Sequence, residues 1–395
     1  MLLGSGGSDQ VAMAGPRVAA FDRARTFVIL LVLLHHSVIN YTWFGHGDAM
    51  RWLGFDLVVL FNDSFFMAFM FLISGLFVHD SLTRNGAGGF LRRRAWRLGI
   101  PLLVSIFVLI PIAYYASFLR YHMPGTTDFN YFHYWGRMIT TGPWPSGQSW
   151  FLWVLLVFDV IAAAIWIAAP KMLGAFGRLI DALRSRPAMA FAAFVVISVV
   201  SYLPMHLWFG DGAWFEPGHY PFPVQTSRIL LYPAYFFTGV GIGVVGLKVG
   251  ILAEDGEVAK RWATWLTIAI LLFGLILLLV FAHHNWIENV AAPPLWWRAA
   301  YGLAFATFSA VMAFTVLATS LRLSRASMRL LDAMQPSAYG IFLFHYMFII
   351  WLQYFVHDPA WPAGVKAAIV FVVTLGGSWL LTVLLRKIPL VARTI

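Results

Sequence analysis

The sequence predicts an all-α, polytopic membrane bundle of about ten transmembrane helices with both termini cytoplasmic. Three observations carry this. First, 61% of the 395 residues are hydrophobic and only 11% are charged, against about 25% charged residues in soluble domains. So few charges cannot coat a water-facing exterior, whereas a lipid-facing one needs none. Second, ten apolar windows reach the ~20 residues that cross hydrocarbon: 26–43, 57–79, 98–117, 150–169, 189–208, 229–247, 263–282, 299–319, 336–356 and 367–385. Third, with the N-terminus inside, 21 of the 27 Lys and Arg fall on the cytoplasmic side, leaving Arg51, Arg120, Arg137, Arg228, Arg298 and Lys366 outside. Positive charge concentrates in this way on the cytoplasmic flank of membrane proteins.

The same composition narrows the function. A net charge of +10 would suggest nucleic-acid binding in a soluble protein. Here the basic residues are spread between apolar runs and read as topology charge, so the partner is the lipid bilayer and no nucleic acid is expected. The absence of cysteine excludes disulfides, thiolate catalysis and cysteine metal sites, and no metal is expected. The first apolar run lacks a small-residue cleavage site, so no cleaved signal peptide is expected. Residues 1–16 read as a disordered Gly/Ser/Ala-rich tail and 17–395 as one transmembrane domain.

Taken in order, the spans place few ionisable groups at membrane depth, where each is costly and suggests function. The first span holds Arg25, His35 and His36. Arg25 and His36 lie 11 residues apart, three helical turns plus ~20°, so they share a face and differ in height by ~16 Å. His35 points ~100° away. The second span carries Asn62 and Asp63, which is as suited to bonding a neighbouring helix as to touching substrate. It is followed by the basic run FLRRRAWR (90–97). That run is either topology charge or a docking site for an anionic donor, through the planar donor fork of arginine.

The fourth span holds Asp159 and the ninth His345, each ~14 Å in from its own end and so near the level of His36. These three groups either line a polar chamber or are satisfied between helices. The outer loops 119–149 and 209–228 are rich in aromatics, which fits interfacial anchoring or stacking on sugar faces.

Four segments resemble the acyltransferase-3 family of membrane acyltransferases. FDRARTFVILLVLLHHS (21–37) is similar to the family's opening Arg, ten residues, then His, with Arg25 and His36 in those places. FFMAFMFLISGLFVHDSLTRNGAGGFLRRRAWR (65–97) resembles its Phe-rich Ser-Gly step and Arg-rich loop, matched by Ser74, Gly75, Arg92, Arg93, Arg94 and Arg97. SWFLWVLL (149–156) and SAYGIFLFH (337–345) look like later family elements. Asn62-Asp63 and Ile388-Pro389-Leu390 resemble the subgroup that succinylates osmoregulated periplasmic glucans. The chain departs from the pattern in its doubled His35-His36 and in Asp159, where an aromatic is commoner. It also lacks the soluble esterase-like domain of some members, so the helical unit is expected to act alone.

The resemblance implies a bacterial inner-membrane enzyme that moves an acetyl or succinyl group from cytoplasmic acyl-CoA to a hydroxyl of an extracytoplasmic glycan or lipid-linked sugar. Arg25, Ser74 and Arg92, Arg93, Arg94 and Arg97 would meet the donor. His36 would act as general base or as an acylated nucleophile, with His345 or Asp159 orienting it. A transporter or flippase of a lipid-linked or acylated sugar is the alternative reading. It would share the helix count and midplane histidines but use no acyl-CoA.

Overall fold

The computed structural model describes residues 16–45, 47–122, 126–247, 250–287, 289–290, 292–324 and 326–395. The expected tail falls outside them apart from Pro16, where the first helix begins. Lys248, Arg325 and the side chain of Arg17, all assigned to the basic side, also lie outside.

Among the described residues, ten helices are long and apolar enough to span. They are α1 (Ala19–Tyr41), α2 (Leu53–Leu76), α3 (Val78–Tyr121), α5 (Gly147–Ala168), α7 (Pro187–Phe209), α8 (Thr226–Val245), α9 (Trp262–Trp286), α10 (Leu295–Arg322), α11 (Arg329–Phe355) and α12 (Ala363–Leu385). Shorter helices between them include α4 (Tyr131–Thr140), capped by the Asn130 side chain, and the amphipathic α6 (Pro170–Asp181). Trp214–Phe215 and Val224–Gln225 form a small antiparallel ribbon, β1 and β2. Apolar surface sorts the spans. In the apolar window of α10, 83% of the residues are buried and the helix lies at the centre, whereas in those of α7, α9 and α12 only 22% are, and these helices present Leu, Val and Ile outward, as lipid-facing helices do.

The third span differs most from expectation. It is one run of 44 residues, so Arg92 to Arg97 lie within a helix and not in a loop. Arg, Leu and Ala favour helix whatever their hydropathy, and the chain continues helical below the apolar window, interrupted only by a left-handed residue at Gly86 (φ 64°). Two π-helical turns, Ala95–Gly99 and Ser105–Leu109, precede Pro101 and Pro111 closely or overlap their turns. Each proline lacks the N–H that the carbonyl four residues earlier would accept. Those carbonyls find side-chain donors instead. Arg97 O accepts from Tyr339 Oη at 2.7 Å and Phe107 O from Trp135 Nε1 at 2.9 Å. Nearby, Ile106 O and Ile112 O accept from the indoles of Trp144 and Trp351. Without Tyr339 and Trp135 the carbonyls of Arg97 and Phe107 would lack a donor, which in hydrocarbon costs several kcal/mol.

α2 and α8 touch backbone to backbone through glycine. A Cβ on Gly75 would stand 2.1 Å from Phe236 O, and one on Gly239 2.1 Å from Leu72 O. Small residues spaced in this way let membrane helices approach closely. The Ser74-Gly75 step is therefore a packing device that also fixes where Ser74 sits. Gly75→Ala is expected to push the helices apart, cost about 1–3 kcal/mol as overpacking does, and lower the thermal midpoint of the purified protein.

A buried staple closes one end of the bundle. Lys366, at the start of α12, donates to both Asp48 carboxylate oxygens (3.1 and 2.9 Å) and to His357 O (2.8 Å), tying the α1–α2 loop to the α11–α12 loop. At the other end Arg23 forks onto Asp332 (2.5 and 2.9 Å) and donates to Leu323 O and Ser324 O, locking α1 to α10 and α11.

Candidate active site

Helical phase separates two arginines that are almost adjacent in sequence. Arg23 is consumed in the clamp on Asp332. Arg25, two residues on, turns into a cavity of about 310 Å³ shared with Ser74, Arg94, Arg97, Tyr339 and Phe342. Asp22 sits beside Arg25 (3.2 Å) and accepts from Gln335 (2.9 Å). A second cavity of about 390 Å³ shares Asp22, Arg25, Arg97 and Tyr339 with the first and adds Arg386 and Arg393 from the end of the chain. Five guanidinium groups thus face two connected spaces alongside one carboxylate, Asp22. An anion is the complement of such a surface.

The apolar part of the cavity lining includes Ile29, Phe151, Leu155 and Phe342. Ile29 lies two turns below His36 on the face of α1 that carries Arg25. Phe342 lies against His345, with ring centroids 5.7 Å apart. Above it the imidazoles of His36 and His345 stack at 5.5 Å with 30° between planes, so the first and ninth predicted spans bring their histidines together. His36 is half-buried, whereas His345 is fully buried. His345 Nδ1 lies 2.6 Å from Phe342 O, which assigns its proton to Nδ1 and leaves Nε2 an acceptor. That Nε2 has no partner among the described residues. His35 turns away to pack on Phe66 (5.1 Å).

Tyr346 meets the His36 ring edge-on at 5.3 Å, and its hydroxyl lies 3.0 Å from that of Tyr114 on α3. One turn beyond this tyrosine pair is a small polar cleft of about 90 Å³, lined by Asn40, Ser117, Arg120, Gln353 and Tyr354. Gln353 donates to His36 O at 3.0 Å, linking the cleft to the histidine's backbone. The histidine pair therefore stands between a basic cavity on one side and a small polar cleft on the other.

The remaining candidates are placed differently. Asp159 is fully buried, and its partner is Arg94 (3.2 Å), not His36. It stands behind the cavity wall and holds an arginine of that wall. Asp63 is bound by Arg228 of α8 through Nη1 at 3.0 Å, and by Nη2, which takes it as a helix tie. Arg92 and Arg93 are exposed and line neither cavity. Sequence reasoning missed Tyr339 as a wall residue, although it stands in the SAYGIFLFH segment, and counted Arg386 and Arg393 only as topology charge. Asp22 had a signal in its spacing of three from Arg25. Tyr114 and Tyr346 had none, because nothing in the sequence pairs α3 with α11. Among the described residues no three His, Asp or Glu side chains gather as metal ligands would.

A family model described as "Acyltransferase domain" matches residues 18–383, while no curated protein matches the chain. The matched stretch contains nearly every element described above, from the clamp on α1 to the end of α12. The chain accordingly belongs to the acyltransferase-3 family and is a multi-pass membrane acyltransferase.

Proposed function

We propose that the protein is an O-acyltransferase that moves a small acyl group, acetyl or succinyl, from acyl-CoA on the cytoplasmic side to a hydroxyl of an extracytoplasmic glycan or lipid-linked sugar. A bacterial inner membrane is the setting this reading requires, and osmoregulated glucans are the acceptor class favoured by the subgroup resemblance. The observation that carries the reading is the alignment of Arg25 and His36 on one face of α1, with the arginine-lined cavity beneath the His36–His345 pair. The skew of Lys and Arg toward the same end orients that cavity to the cytoplasm.

In this reading the donor's phosphates meet Arg25, Arg94, Arg97 and the flanking Arg386 and Arg393, while Asp159 positions Arg94. The pantetheine arm runs up past Ser74 and Phe342 and brings the thioester to the histidines. The acceptor arrives from the opposite end by the Asn40–Gln353 cleft, with Tyr346 moving aside. His36 takes the hydroxyl proton as the oxygen attacks the thioester carbonyl. The C–O bond forms, the C–S bond breaks, and the proton passes from His36 to the leaving thiolate. His345, with its proton held on Nδ1, offers Nε2 to the imidazolium that forms transiently on His36. The confined site limits water and therefore hydrolysis of the thioester.

Arg25→Ala tests the donor side. Loss of one charge-assisted contact of about 1.5–3 kcal/mol is expected to raise the KM for acyl-CoA roughly 10- to 100-fold, with a smaller change in kcat, read by thiol release from purified protein. An unchanged donor KM would remove Arg25 from the binding surface. Mass spectrometry of surface glycans with and without the protein names the acyl group and the acceptor.

A further inference from the structure

The opposite end of the bundle holds a larger cavity, about 600 Å³, between the ends of α7 and α9 and the start of α10. Its chemistry differs from that of the arginine-lined spaces. On one wall Asp211 is held by Tyr202 Oη (2.6 Å) and His206 Nδ1 (3.2 Å), both on its Oδ1. Gln225 fixes its backbone carbonyl at 2.7 Å. The carboxylate is partly exposed, and its Oδ2 has no partner among the described residues. On another wall Arg298 spends Nη2 on the carbonyls of His206 and Leu207, leaving the rest of its guanidinium without a hydrogen bond there.

The His206 ring is wedged against bare backbone, since a Cβ on Gly302 would come 2.8 Å from its Cδ2. Trp208 stands at the rim with 83% of its surface exposed, and Tyr301 completes the lining. A carboxylate oxygen, the rest of a guanidinium, the imidazoles of His283 and His284 and an open aromatic face surround a space whose fixed charges, Asp211 and Arg298, balance. A neutral ligand dense in hydroxyls, with an apolar C–H face, complements that set, whereas an anion suits the other end of the molecule.

We propose that this cavity is a saccharide-binding site, separate from the transfer centre, that holds a stretch of the acceptor glycan while another residue of the same glycan is acylated. The proposal rests on the acyl-transfer reading for the identity of the glycan. Asp211 accepts from sugar hydroxyls, Arg298 donates to them and Trp208 stacks on a ring face. His206 and Tyr202 are positioning residues that set the carboxylate.

The test is a binding titration without any acyl donor. Protein in phosphatidylcholine nanodiscs is titrated with gluco-oligosaccharides of one to eight residues by calorimetry, with saturation-transfer NMR identifying the contacted sugars. Affinity is expected to rise with chain length, and Asp211→Asn and Trp208→Ala are each expected to weaken it at least tenfold. His206→Gln, which keeps a polar group at the carboxylate, should lose less than His206→Ala. Trp208→Ala alters only an exposed side chain, so it decides the matter if a buried variant fails to fold.

Absence of saccharide binding in the wild type, or equal binding in the Trp208 and Asp211 variants, overturns the proposal. So does loss of binding when phosphatidylethanolamine replaces phosphatidylcholine, because the occupant would then be a zwitterionic lipid headgroup. Since no donor is present, a wild-type protein that binds sugar but transfers no acyl group would sink the transfer reading and leave this site standing. A protein that transfers but shows no length-dependent binding would do the reverse.

Discussion

His36→Ala is expected to lower acyl transfer by about 10²- to 10⁴-fold, the range over which a positioned general base contributes, while leaving the protein folded and the donor bound. The reasons are local. His36 is the half-buried member of the stacked pair, and its ring nitrogens carry no hydrogen bond among the described residues. The cavity wall on α1 ends at Ile29, so removing the imidazole leaves the arginine-lined space intact. Donor KM should hardly move and kcat should collapse, the pattern of an interaction made only in the transition state. Transfer at the wild-type rate by the alanine variant would end the mechanism. His345→Ala should cost less, because in the proposed mechanism that residue acts through His36, and its own Nδ1 is already occupied by Phe342 O.

Lys366→Met is expected to destabilise the protein by about 3–5 kcal/mol, because it takes the cation from a buried carboxylate. Both side chains of the Lys366–Asp48 pair are 1% exposed. Burial alone would raise the Asp48 carboxyl. The hydrogen bonds from Lys366 and the Met50 N–H, with the neighbouring positive charge, outweigh burial and hold it below its ordinary value. A depressed carboxyl stabilises the folded state above the unfolded value of ~3.9 and loses that contribution as pH falls through the folded value.

In the variant the sign reverses. The carboxyl keeps only the Met50 N–H (2.8 Å) and the His357 ring (3.4 Å), so burial weighs more heavily, its titration moves up and protonation relieves the fold. The gap in melting temperature between wild type and Lys366→Met should therefore narrow on acidification. A second change, Asp48→Asn, should recover much of the loss at neutral pH. A gap that is constant with pH, or no recovery, would show that the pair is not what the substitution disturbs.

The sequence made some of these features legible for clear physical reasons. Hydropathy and length set the ten spans because each must satisfy its own backbone in lipid. The 11-residue interval chose Arg25 over Arg23, because helical phase puts only Arg25 on the His36 face. Other features depended on the azimuth of one helix about another, which no single-helix pattern encodes. The sequence puts Asp159 near the depth of His36 without its azimuth, and α5 sets it against Arg94. The long α3 was cut short on paper because apolar windows stop where charges start, while helix propensity does not. The bonds from Tyr339, Trp135, Trp144 and Trp351 to its carbonyls could be anticipated only in part. Pro101 and Pro111 announce that carbonyls will be freed, yet not which side chains will reach them.

The histidine layer has an electrical consequence. The inner cavity reaches Ile29 and the outer cleft begins at Asn40. The interval on α1 between them is ~16 Å, about half of the ~30 Å of hydrocarbon elsewhere. Water filling both spaces would make the transmembrane voltage fall across that short stretch, with a correspondingly steeper field there. In the proposed mechanism the proton held briefly on His36 would sit inside that drop. Carrying one elementary charge across the whole of it is worth ~2.3 kcal/mol per 100 mV, so an energised membrane would tilt the energetics of that step by a fraction of this amount.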